Sequence, residues 1–137
     1  MPDPPPFTIA TDLDVVNVRA RAKEMAADSG FSVGDQTVIA AAISEIARNI
    51  LMYARRGVVT LHLEQNGERD TLSVIAEDQG PGIPDISRAM QDGYSTSGGL
   101  GVGLPGARRL MDEFEVRSQS GVGTTILMKK WKRANGG

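Results

Sequence analysis

Residues 34–53, GDQTVIAAAISEIARNILMY, decide the fold. Apolar side chains recur at Val38, Ile39, Ala42, Ile43, Ile46, Ala47, Ile50 and Leu51. That 3.6-residue recurrence makes one wide stripe on an α-helix. The run Ala40-Ala41-Ala42 suits a helix that packs closely. Glu45 and Asn49 sit beside this stripe, one turn apart, about 6 Å along the axis. Read alone, they are a solvated pair on a helix surface. A carboxylate and a carboxamide so placed can also serve a hydroxyl and a hard cation.

The flanking sequence punctuates this helix. Residues 1–6, MPDPPP, cannot build regular structure, because proline fixes φ and lacks a donor. Phe7–Thr11 reads as a short edge strand. Thr11 or Asp12 caps a helix over 12–29 with a stripe of Leu13, Val16, Val18, Ala22, Met25 and Ala26, and Gly30 ends it. Ser32 or Asp35 caps the central helix. Arg55-Arg56-Gly57 stops it. Val58–Glu64 then alternates as a strand, Asn66-Gly67 signals a hairpin, and Thr71–Glu77 returns. After the polar stretch 85–99, Leu100-Gly101-Val102-Gly103-Leu104 opens a third helix that runs through Leu110 or Asp112, with Pro105 in its first turn. Glu113–Gln119 and Thr124–Trp131 are the last two strands, joined at Ser120-Gly121-Val122-Gly123. Two helices, then hairpins around a third, predict an α+β, two-layer α/β sandwich.

Composition narrows the chemistry. A chain of 137 residues, 40% hydrophobic and 23% charged, builds one core. A net charge of −2 gives no nucleic-acid surface, and the basic tail Lys129 to Arg133 reads as a solvated strand end. With no cysteine there is no disulfide, thiolate metal site or cysteine nucleophile. The single histidine, His62, cannot form a triad or a metal cluster by itself. No apolar run has the length of a membrane span and no leader pattern opens the chain, so the expectation is a cytoplasmic protein without a membrane.

Two glycine clusters flank the polar stretch. In Asp78-x-Gly80-x-Gly82 a carboxylate ends an apolar strand. It closes an Asx-turn, or it accepts from an exocyclic amine with glycines leaving room for a flat ring. In Gly98-Gly99-x-Gly101-x-Gly103 the glycines precede a helix, where backbone N–H groups and the dipole favour an anion. Neither is a Walker A loop or a dinucleotide fingerprint.

The ordered set of Glu45/Asn49, Asp78-x-Gly80-x-Gly82, Gly99-x-Gly101-x-Gly103 and Gly123-Thr124-Thr125 resembles the GHKL (Bergerat) ATP-binding fold. The strings TDLDVVNVR, SEIARNI, AEDQGPGIPD, MQDGYSTSGGLGVGLPGARRLMDEF and GTT are similar to bacterial anti-sigma and switch-protein serine kinases, including those of the stressosome. The resemblance implies a mixed, mainly antiparallel sheet covered on one face by three helices, a kinase domain over 7–133, and short flexible ends at 1–6 and 134–137. It implies ATP and Mg²⁺ as cofactors. Asn49 would hold the metal and Glu45 would act as general base toward a serine hydroxyl. Asp78 would accept from the adenine amine, with Gly80, Gly82 and Ile83 about the ring and Thr124 helping through a water. Gly99, Leu100, Gly101, Val102 and Gly103 would wrap the phosphates, beneath a lid over about 85–98. Relatives place a basic residue near the γ-phosphate. Here only Arg88 lies in that stretch, which leaves Ser95, Thr96 or Ser97 for the task.

The implied function is a Mg-ATP-dependent protein-serine kinase acting on a STAS-domain partner, which switches to a PP2C-type phosphatase regulator on release and allows a weak homodimer. The competing reading is a nucleotide-dependent anti-sigma-type binding module.

Overall fold

The computed structural model describes residues 3–65, 69–81, 103–119 and 121–132. Among the described residues, five strands and three helices run in the order β1 (Phe7–Ile9), α1 (Asp12–Asp28), α2 (Val33–Tyr53), β2 (Gly57–Gln65), β3 (Asp70–Asp78), α3 (Gly103–Leu110), β4 (Glu113–Gln119), β5 (Gly123–Trp131). The sheet order is β1-β2-β3-β5-β4, and every pairing among the described residues is antiparallel. Asn66-Gly67, the expected hairpin turn, lies outside the described residues.

Both long helices start where a side chain can satisfy the first free amides. Thr11 caps α1, and Asp14 returns the favour to the Thr11 N–H, a reciprocal capping box. Ser32 caps α2 by accepting from the Asp35 N–H at 3.1 Å. The stop of α2 differs from the expectation. Arg55 takes the left-handed conformation at φ 67°, while Gly57 already belongs to β2. Gly57 is glycine because a Cβ there would lie 2.6 Å from the Glu77 carbonyl oxygen and 2.8 Å from the Ile50 side chain. The absent side chain lets the strand run directly under the helix.

One face of the sheet carries the core. Along it lie the rows Val59–Ala76–Ile126–Val116 and Leu61–Val74–Met128–Phe114, read across β2, β3, β5 and β4. Against them pack Ile39, Ile43, Ile46 and Ile50 of α2 and Val15, Val18, Ala22 and Met25 of α1. Each of these valine, isoleucine and methionine side chains contributes roughly 1.5–3 kcal/mol on burial. The stripe of α1 is shifted from the expected one. Val15 is buried, whereas Leu13 and Val16 are 65% and 43% exposed. α3 packs on α2 rather than on the sheet.

One sequence expectation at the sheet margin is corrected. Lys130, read as part of a solvated tail, is buried on the helix-facing side opposite Leu72. Strand alternation sends residues 124, 126, 128 and 130 the same way. His62 binds the Asp3 carboxylate, whose other oxygen accepts from the Leu63 N–H at 3.0 Å. Asp3 is thus held at the margin of β2 beyond β1.

Candidate functional site

The site forms where the C-terminal half of α2 crosses one end of the sheet. Register sets Gly57, Asp78, Thr124 and Ser118 in a single row across four strands, all on the helix side. Asp78 and Thr124 are therefore direct cross-strand partners. Sequence order alone, 46 residues apart, could not show that.

Backbone contacts that only glycine permits hold this corner. Gly123 has φ 146°, and a Cβ on it would meet the Asp78 carbonyl oxygen at 2.1 Å. The Gly121 N–H donates to the Pro81 carbonyl at 2.9 Å. Gly80 lies against the end of α2, where a Cβ would sit 2.6 Å from the Ala54 Cβ and 3.2 Å from the Tyr53 carbonyl oxygen. In this structure, packing against α2 explains why residue 80 is glycine, before any appeal to a ring.

The side chains of the corner are polar and sparingly partnered. Asp78 Oδ1 accepts from the Gly80 N–H at 2.9 Å, which is the Asx-turn. The two readings of this aspartate coexist, because Oδ2 accepts no hydrogen bond among the described residues. Thr124 is buried, and its hydroxyl lies 2.9 Å from Ser118 Oγ. Ser118 was missed by sequence reasoning. The signal was the alternation Phe114, Val116, Ser118, which aims it at the same face.

On α2, Glu45 and Asn49 are each only 9% exposed. A solvated surface pair is thereby ruled out. Glu45 Oε1 accepts from Arg48 at 2.9 Å, a partner one turn on that was also overlooked. The Asn49 carboxamide makes no hydrogen bond among the described residues. Its polar atoms are therefore available to a ligand. An amide oxygen is a suitable ligand for Mg²⁺, which takes few protein ligands and keeps several waters. The residues present therefore fit a cation shared with a bound anion.

Gly103 is the first residue of α3. Gly82, Ile83, Gly99, Leu100, Gly101 and Val102, together with the expected lid, Arg88 and Ser95 to Ser97, lie outside the described residues. Arg108 and Arg109 are exposed on α3.

Comparison with known proteins follows this geometry. The histidine kinase-like ATPase domain matches residues 8–130. The chain is 50% identical over 125 residues to the serine/threonine-protein kinase RsbT of Bacillus subtilis, covering 91% of this chain and 94% of that protein. It is 34% identical over 99 residues to the anti-sigma F factor of Thermoanaerobacter sp. (strain X514), 68% of each. Among solved structures, the RsbU and RsbW domains of Rv1364c from Mycobacterium tuberculosis superpose with TM-score 0.61 at 26% identity. That match covers 95% of this chain and 33% of the other, so the chain spans about a third of that protein. The mycobacterial sensor histidine kinase MprB shares the fold, with TM-score 0.56 at 19% identity, covering 93% of this chain and 97% of that one.

Proposed function

The chain belongs to the histidine kinase-like ATPase family and is a protein-serine/threonine kinase, and we propose that it phosphorylates a serine of a STAS-domain regulatory or scaffold protein in a bacterial partner-switching pathway. On release from that partner it engages a PP2C-type phosphatase regulator. It works in the cytoplasm; no helix among the described residues is long and apolar enough to cross a membrane.

The observation that carries this reading is the buried pair Glu45 and Asn49, set one turn apart on α2 beside the Asp78–Thr124 corner. Asp78 Oδ2 supplies an acceptor for the amine of adenine, and Thr124 a hydroxyl next to it. Asn49 presents an amide oxygen for Mg²⁺ near the phosphates. Bound there, the metal would neutralise charge that develops on the transferring group. Glu45 takes the proton of the attacking serine hydroxyl as the Oγ–phosphorus bond forms and the bond to the ADP oxygen breaks. Phosphoryl transfer asks little more than positioning and charge neutralisation. The Arg48 guanidinium holds the Glu45 carboxylate in one orientation.

A second reading is supported by the same contact. Arg48 already occupies an oxygen of the Glu45 carboxylate, and the chain is similar to an anti-sigma F factor. In that reading the protein sequesters a partner and transfers little phosphate.

Incubation with γ-labelled ATP and a STAS-domain protein separates the two. Label transfer by the wild type should fall about 10²–10⁴-fold in Glu45→Ala, the usual contribution of a general base, while partner binding persists. Undiminished transfer by the variant removes Glu45 from catalysis. Partner binding without any transfer by the wild type favours sequestration.

A further inference from the structure

The other end of the helix-facing sheet surface holds a second charged cluster, which the nucleotide reading does not use. Lys130 occupies a row where its strand neighbours Met128 and Ile126, and its cross-strand partner Leu72, are buried and apolar. A lysine there is expensive to desolvate, and a methionine would fill the same space without charge. Its ammonium has three oxygens within reach. It donates to the Leu110 carbonyl at 3.1 Å, and lies 3.9 Å from both Asp35 Oδ1 and Asp112 Oδ2. Asp35 belongs to the first turn of α2, Leu110 is the last residue of α3, and Lys130 stands on β5. Asp112 Oδ2 also accepts from the Trp131 N–H at 2.7 Å, and the Asp112 N–H donates to the Lys129 carbonyl at 2.9 Å.

We propose that Lys130 is a positioning residue for the phosphate side of the nucleotide site, because its buried ammonium ties the C-terminal end of α3 to α2 and β5. The proposal rests on the nucleotide reading given above. α3 has eight residues, too few to persist by its own hydrogen bonds, so its direction is set by what it touches. One flank lies on α2. Its last carbonyl, unpaired within the helix, receives the ammonium where the dipole also favours a cation. A helix of this length is about 12 Å long, so fixing one end aims the other, which starts at Gly103. The same ammonium therefore joins the elements that carry Asn49, Thr124 and Gly103.

The full chain tests this with Lys130→Met and with the triple variant K130M/D35N/D112N. The triple variant leaves no carboxylate uncompensated and keeps an acceptor for the Trp131 N–H, so it folds where the single variant does not. Calorimetric titration compares Mg-ATP with adenosine, and hydrogen exchange compares amides of α3 with those of α1. The expected result is about a tenfold loss of ATP affinity, equivalent to about 1.4 kcal/mol. Adenosine affinity stays within about twofold, since the base contacts lie on β3 and β5, away from α3. Exchange should quicken in α3 alone. Equal losses for both ligands, or unchanged α3 protection, would reveal a merely structural lysine and overturn the proposal. A wild type that takes up no ATP overturns the nucleotide reading itself, whereas ATP uptake indifferent to the triple variant overturns only the role of Lys130.

Discussion

The two ends of the helix-facing sheet surface both carry charge, yet they treat it in opposite ways. At one end Lys130 meets Asp35, Asp112 and the Leu110 carbonyl, all within the chain. At the other, Asp78 spends one oxygen on its own turn, and Asn49 spends nothing among the described residues. Between them lie two apolar rows. Burying polar groups costs free energy at either end. Where the chain itself supplies the partners, the cost is offset in part, for Asp35 Oδ2 stays buried without a hydrogen bond among the described residues. At the other end, Asp78 and Asn49 keep polar atoms that a ligand can engage.

The contrast can be broken from its structural side first. Asp112→Ala strips Lys130 of a carboxylate and the Trp131 N–H of its acceptor, and should cost about 3 kcal/mol in urea unfolding at constant m. A loss below 1 kcal/mol, on the scale of an ordinary surface change, would mean that this end is no more saturated than the other. Asp78→Asn should behave in the reverse manner. The amide oxygen still accepts from Gly80, so the turn and the melting temperature survive. Nucleotide affinity falls by about 10–100-fold, the value of a hydrogen bond to a charged group. A variant that unfolds instead would return Asp78 to the structural class. Asn49→Ala, smaller still, removes an amide that makes no hydrogen bond among the described residues. Stability should change by less than about 0.5 kcal/mol, while the dependence of nucleotide binding on Mg²⁺ disappears. Preserved metal dependence in calorimetry would displace the cation from Asn49.

The smallest expected effect lies outside both ends and calibrates them. The Ala10 N–H, donating to the Asp14 carboxylate, holds it below the ordinary value of 3.8; desolvation opposes this, and the Thr11 contacts reinforce it. A carboxylate with a lowered folded pKa adds stability that is present above its unfolded value and lost as pH falls through the folded one. Asp14→Ala should therefore be slightly less stable than the wild type at neutral pH and converge with it as pH falls below about 3.8, so that its acid limb is flatter. An acid limb as steep as that of wild type would show that the capping box is electrostatically inert.

The course of the chain was largely legible. Helix α2 announced itself through its stripe, both caps stood at Thr11 and Ser32, and the strands alternated as strands do. What escaped were the places where neighbours from distant sequence decide. Leu13 and Val16 fit a helical stripe as well as Val15 does, and only the position of the sheet chooses the buried phase. Gly57 looks like a helix stop until the Glu77 carbonyl is placed against it. Lys130 and its neighbour Lys129 are the same residue type, and strand alternation buries one of them. At the site, the residue types of Glu45, Asn49, Asp78 and Thr124 were readable as motifs. Their assembly depended on cross-strand register, and so did the discovery of Ser118.

Trp131 adds a practical consequence. It is the only tryptophan in the chain, it follows Lys130 directly, and the Arg69 guanidinium covers its ring at 4.3 Å. Its emission is therefore an unlabelled optical gauge of that corner. Loosening of the strand end or departure of the arginine would alter the fluorescence, so the motion of one locality can be timed in a stopped-flow cell with the natural protein.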